Sequence, residues 1–296
     1  RSGQEQRCLS GPFPFFEHST ESTQRGRSAN HRRVGRGPVC SGTGDKLTAM
    51  EFFGKHFDDI LFRLQKMREK GTISDTIHRG GLDWPLAGKG DLVMGVDTAV
   101  ELGHPKEGST AFLIWTSEST QLANKRISVI GPDLQRLVGR RIPFGTIILL
   151  GVEGFNEDNS YERYRQLESV RYDICLKGYM MRGVSQYGRE WSRVSRKAID
   201  KGFSFPILGG ALVDRYLEFE FVRSVEVIFF TSGRKDMKPF LPIAENALKI
   251  IGAMNKMIQE VSYDCDTCEY NGVCGEVEDL RALRRSLQKR GKTTDA

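Results

Sequence analysis

No run of apolar residues in the 296-residue chain is long enough to span a bilayer, and its first residues lack the apolar segment of a secretion signal. A membrane protein is therefore not expected. Histidine is scarce, and none falls inside the one cluster of cysteines, so a zinc site there would need a fourth ligand from outside the motif. Cysteine itself is sparse and uneven. Of six, Cys265, Cys268 and Cys274 lie within ten residues, while Cys8, Cys40 and Cys175 stand far apart. That spacing argues against a secreted disulfide framework and for a thiolate site in a reducing compartment, the cytoplasm. Internal repeats are missing as well.

A strong charge of one sign is also lacking in the body of the chain. The net charge is +6, but four of those six charges belong to residues 1–49, where seven Arg and one Lys face Glu5, Glu17, Glu21 and Asp45. The rest is nearly balanced, so nucleic acid is not an expected partner. Residues 1–49 show neither helical nor strand periodicity. They read as a disordered or non-native extension ahead of Met50, the expected natural start; a flexible basic tail is the other reading.

From Met50 onward the pattern alternates. Phe53, Phe57, Ile60, Leu61 and Leu64 mark an amphipathic helix ending before Gly71. Strands are expected at Asp91–Val96, Ala111–Trp115, Arg126–Ile130, Thr146–Val152, Glu190–Val194 and Ser224–Thr231. Helices are expected from Asp158 to about Met181, over Leu208–Phe221 and over Pro239–Ile258. Ser195 can cap a short helical turn. The expected fold is α/β, a layered mixed sheet with helices over residues 50–262, followed by a short cysteine-bearing C-terminal element over 263–296.

Two short segments read locally as punctuation. Gly103 and Pro105 make a turn around His104, and Gly131-Pro132-Asp133 ends a strand and opens a helix. His104 reads as a hydrogen-bonded loop residue rather than a catalytic base. A third segment carries more chemistry. Trp191 stands among Arg182, Arg189, Arg193, Arg196 and Lys197. An indole face can stack on an adenine, and guanidinium groups can grip phosphates. A half-buried tryptophan beside a solvated basic strand edge is the alternative.

The motif Cys265-Asp-Thr-Cys268-Glu-Tyr-Asn-Gly-Val-Cys274 clusters soft ligands suited to an iron–sulfur centre or to zinc. Gly272 is expected to turn the loop back toward the first two thiols. Three uncoordinated thiols remain a third reading. Cys175 is the natural fourth ligand by elimination of other cysteines in the folded body, or else a small buried hydrophobe on the long helix.

Three stretches together resemble the acetyl-CoA synthase β subunit family of the carbon monoxide dehydrogenase/acetyl-CoA synthase complex. They are Val100-Glu-Leu-Gly-His-Pro-Lys106, Ile127-Ser-Val-Ile-Gly-Pro-Asp133, and Arg189-Glu-Trp-Ser-Arg-Val-Ser-Arg-Lys-Ala-Ile-Asp-Lys-Gly-Phe203, in that order. The resemblance implies a coenzyme A or acetyl-CoA site at Trp191, Arg189, Arg193 and Arg196. It also implies a [4Fe–4S] cluster on Cys265, Cys268 and Cys274, and work with carbon monoxide dehydrogenase or corrinoid iron–sulfur subunits. The family's Cys-Gly-Cys nickel ligands have no counterpart here, so nickel is not expected. Two readings stay open: a CO-methylating acetyl-CoA synthase acting in one-carbon metabolism, or an inactive accessory or electron-transfer subunit.

Overall fold

The computed structural model describes residues 51–118, 122–185, 188–259 and 268–294. Its centre is a five-stranded mixed sheet in the order β1-β4-β9-β6-β3, built from Ile73–Ile77 (β1), Ser109–Thr116 (β3), Arg126–Ile130 (β4), Phe144–Val152 (β6) and Val222–Phe230 (β9). Strand β6 is apolar almost throughout, and β6 and β9 are both buried along nearly their whole length, as strands covered on both faces are. Helix α4 (Phe205–Leu217) lies on one face. Its Gly209 meets β4 so closely that a Cβ would stand 2.6 Å from the Ile127 side chain. Helix α1 (Gly54–Glu69) covers the other face, since its Arg68 reaches Ser128, the next residue along β4. Phe57, Ile60 and Leu64 of α1 are buried.

A second sheet of four strands runs β5-β2-β8-β7, from Thr98–Leu102 (β2), Arg140–Ile142 (β5), Tyr179–Ser185 (β7) and Arg189–Ser195 (β8). Helices α2 (Ser160–Ser169) and α6 (Leu241–Gln259) pack together and α6 also packs on β3. The stripe of Phe240, Ile243, Ala247, Ile250 and Met254 is buried as expected. Helices α7 (Asn271–Glu276) and α8 (Glu278–Thr294) then fold back onto α6. The layered mixed α/β architecture is thus observed. Among the described residues no helix is long and apolar enough to cross a membrane.

Two elements differ from expectation. Asp91–Val96 forms no strand: Leu92 and Met94 are exposed and Val96 is 95% exposed, so β-branched apolar residues here have no neighbouring strand to pair with. The helix expected from Asp158 to about Met181 stops at Ser169 and continues as one 3-10 turn over Val170–Tyr172. Gly178, at φ +83°, then starts β7, and a Cβ there would lie 2.5 Å from that of Ala198. Cys175 consequently sits in a connecting loop, half-buried, rather than on a helix.

Candidate functional site

The three noted segments meet at one end of the five-stranded sheet. Strands β4 and β9 run parallel and end side by side, a place where α/β sheets bind ligands. Gly131, at φ +114°, follows β4 so tightly against the chain leaving β9 that a Cβ would fall 2.4 Å from the Ser232 amide. Thr231 Oγ1 donates to the Pro132 carbonyl at 2.7 Å. Asp133 accepts from the Leu134 and Phe205 amides at 2.7 and 3.0 Å, anchoring α4. Arg234 opens the short helix α5 (Arg234–Met237) and donates to the Glu107 and Lys106 carbonyls at 2.7 and 2.8 Å. It thereby ties in the turn that carries His104.

That turn is pressed against β8. Gly103 has φ +67°, and a Cβ would overlap the Glu190 carbonyl oxygen at 2.1 Å; the position requires glycine on both counts. The Glu190 amide donates to Ser109 Oγ at 2.9 Å. His104 closes its own turn, its carbonyl accepting from Glu107 at 2.7 Å. Its ring meets the Trp191 ring edge-on, with centroids 5.3 Å apart.

Strand β8 alternates. Glu190, Ser192 and Val194 are buried on one face, and Arg189, Trp191 and Arg193 lie on the other. Across from Trp191, the pairing of β7 slips between Met181 and Gly183, so Arg182 is the extra residue of a bulge, a device that re-aims a side chain. The guanidinium groups of Arg182 and Arg193 both lie 5.4 Å from the Trp191 ring centroid, within cation–π range. The indole N–H of Trp191 is buried without a hydrogen-bond partner. Arg189 is exposed on the same strand face, and Arg196, also exposed, starts helix α3 (Arg196–Asp200) just past Ser195. Ser195 does cap that helix, accepting from Ala198 at 3.2 Å.

Sequence reasoning gave no role to the residue that organises this surface. Glu101 on β2 is 6% exposed; Arg193 donates to it at 2.8 Å, and Arg141 of β5 approaches its second oxygen at 2.7 Å. Burial pushes the Glu101 carboxyl up, but the Arg193 hydrogen bond and the charges of Arg193 and Arg141 outweigh it and leave it below its ordinary value. The available signal was a carboxylate within the apolar stretch Thr98–Leu102. Beneath the platform, Arg171 donates to Glu190 at 3.1 Å with both side chains buried, which pins the inner face of β8.

The cysteine motif forms a second candidate site. Cys265 lies outside the described residues. Cys274 is buried in α7, and Cys268 is half-buried three residues before that helix. Both line a small cavity of about 20 Å³ with Met257, Tyr270, Lys256 and Arg284. The Tyr270 ring lies against Gly252 of α6, where a Cβ would be 2.7 Å from its hydroxyl; this notch seats the thiol segment on α6. Gly272 does not make the expected loop turn, because it is part of α7. Two soft thiols are the donor type of a thiolate-ligated group, but the space between the described residues admits only a water-sized one. The Cys175 carbonyl accepts from Ala87 at 3.1 Å, and the adjoining Leu176 bridges to Leu86. Among the described residues no three of His, Cys, Asp or Glu form a metal-sized group.

Geometry thus defines a mixed α/β domain with an arginine–tryptophan platform and a separate thiol pocket. Residues 82–235 match the family described as the CO dehydrogenase/acetyl-CoA synthase complex beta subunit, and the chain belongs to that family. It is similar to the carbon monoxide dehydrogenase/acetyl-CoA synthase subunit alpha of Moorella thermoacetica, 30% identical over 228 residues, covering 68% of this chain and 30% of that protein. It is also similar to the acetyl-CoA decarbonylase/synthase complex subunit beta of Methanopyrus kandleri, 30% identical over 168 residues, covering 54% of this chain and 34% of that protein. The chain therefore spans about a third of the length of these relatives.

Proposed function

We propose that this chain acts in acetyl-CoA and one-carbon metabolism, as a cytoplasmic subunit that binds coenzyme A or acetyl-CoA at the Trp191 platform. The observation that carries the reading is the grouping of Trp191, Arg182, Arg189 and Arg193 on one open sheet face, with Arg141 and Arg193 held by Glu101. Coenzyme A supplies an adenine for stacking and phosphates for guanidinium groups. Arg182 and Arg193 already sit over the indole, so the adenine stacks on a guanidinium plane or displaces one. Arg189, Arg196 and Arg141 are exposed and take phosphate. His104, edge-on to Trp191, orients the indole; it performs no proton transfer in this reading.

The thiol pocket is proposed to hold a [4Fe–4S] cluster through Cys268, Cys274 and Cys265, and such a cluster supplies one-electron transfer. Cys268 and Cys274 are positioned by the Tyr270–Gly252 notch. Cys175 does not line that cavity. Partner subunits of a carbon monoxide dehydrogenase/acetyl-CoA synthase complex are proposed from the complexes named for the relatives, and a corrinoid iron–sulfur subunit from the resemblance alone.

Titrating the full chain with coenzyme A is expected to quench Trp191 fluorescence, with the signal lost in Trp191→Phe. Dephospho-coenzyme A is expected to bind at least tenfold more weakly. Equal affinity of wild type and Arg189→Ala/Arg193→Ala for both ligands would reduce the platform to a structural strand face.

A further inference from the structure

His104 is half-buried and presents a hydrogen-bond donor that no described residue accepts. The Lys106 amide donates to its Nδ1 at 3.2 Å, so the neutral ring carries its proton on Nε2. That Nε2 has no hydrogen-bond partner among the described residues. Nor is it one of the enclosed polar atoms that go unpaired, so solvent reaches it. The turn beneath it is firmly built. The His104 carbonyl accepts from the Glu107 and Gly108 amides at 2.7 and 3.0 Å, Arg234 clamps the Lys106 and Glu107 carbonyls, and Gly103 seats the turn on β8. The donor therefore has a fixed place and direction before any ligand arrives.

The imidazole stands 5.3 Å from the Trp191 ring, centroid to centroid, as near as the guanidinium groups of Arg182 and Arg193 at 5.4 Å. The arginines bring full charge, which suits phosphate. A single uncharged N–H instead selects an acceptor by its position, and the edge of an adenine carries ring nitrogens of that kind. A base stacked at the indole brings its edge beside His104. We infer that His104 reads the base: its Nε2–H donates to a ring nitrogen of the adenine held at Trp191, and the proton stays on Nε2. The inference rests on the coenzyme A reading above and goes beyond it. Stacking accepts any base, whereas a directed donor rejects a ligand that leaves it unpaired.

The test measures binding of two probes to the full chain by calorimetry: coenzyme A, and inorganic pyrophosphate, which has no base. His104→Phe keeps a ring against Trp191 but has no N–H. It is expected to weaken coenzyme A by about threefold to tenfold, as loss of one neutral hydrogen bond does, and to leave pyrophosphate unchanged. His104→Gln, whose amide donates over a similar reach, is expected to recover most of that loss. A His104→Phe chain that binds coenzyme A as tightly as wild type reduces the histidine to packing and overturns the inference, while the coenzyme A reading stands. Equal weakening of both probes moves the acceptor to a phosphate and overturns the base assignment. Absence of coenzyme A binding by the wild type overturns the platform reading and this inference together. Nitrogen-15 spectra of the histidine-labelled wild-type chain give a check that needs no variant to fold. They are expected to show His104 protonated on Nε2, and a ring protonated on Nδ1 alone overturns the inference.

Discussion

Each sheet carries a buried glutamate held by two arginines, and the two arrangements differ in a way that separates structure from function. In the five-stranded sheet Glu226 is fully buried; Arg126 grips both its oxygens at 2.8 and 2.9 Å, and Arg68 adds a third bond at 2.9 Å. Asp75 pairs with Arg68 at 2.8 Å, so two carboxylates balance two guanidinium groups and the cluster is closed. In the four-stranded sheet Glu101 also holds two arginines, but Arg141 has a side chain 61% exposed, and Arg182 and Arg189 crowd the same surface with no second acid bridging to them among the described residues. A neutral, enclosed ion cluster holds elements together. An arginine surplus fixed in place by one buried carboxylate has the charge that the proposed anion platform requires.

The largest effect that would sharpen this contrast is expected from Glu226→Leu. It strands two arginines in a desolvated place, and loss of about 3–5 kcal/mol in urea unfolding is expected. A loss under about 1 kcal/mol would show that Arg68 and Arg126 find other partners and that the cluster is not closed.

Next in size is Glu101→Gln, for which a loss of about 1–3 kcal/mol is expected at neutral pH. The pH dependence follows from the depressed Glu101 carboxyl. The stabilisation it gives is present above its ordinary value of 4.5 and is lost as pH falls through its lower folded value. The gap between wild type and Glu101→Gln should therefore close in unfolding curves taken below about pH 4.5. A gap that stays constant down to pH 3 would mean that shape, not charge, is what Glu101 supplies.

The smallest stability effect is expected from Arg141→Ala, within about 0.5 kcal/mol as for an exposed side chain. Its coenzyme A affinity should nevertheless fall about tenfold, or ~1.4 kcal/mol. A stability loss as large as that of Glu226→Leu would erase the distinction between the two clusters.

Which parts were legible in the sequence follows from how local each signal is. The α6 stripe and the β4, β6 and β9 strands were readable because burial writes itself into consecutive residues. The stretch from Tyr172 to Met181 kept an apolar spacing compatible with a helix, and only Gly178, forced by its contact with Ala198, marks the break. Leu92, Met94 and Val96 have strand-like composition but lie exposed, because composition does not reveal whether a partner strand is available. Trp191 and its strand neighbours Arg189 and Arg193 were legible by alternation. Glu101 was not: its partner Arg193 is 92 residues away, and only the register of β2 against β8 makes them neighbours. Lys256 and Arg284 stayed hidden beside the thiols for the same reason, each belonging to a different helix.

The position of β9 also bears on how the protein is made. This strand is the middle one of the five-stranded sheet, yet it is the last of the five to leave the ribosome. Until residues 222–230 emerge, β1 and β4 form one antiparallel pair and β3 and β6 one parallel pair, with two facing edges and an open slot between them. Such edges recruit stray strands, and a sheet that closes through distant segments assembles slowly. The nascent chain is thus expected to be most vulnerable to misassembly just before its central strand arrives, and release truncated before Val222 should yield aggregate rather than a smaller folded domain.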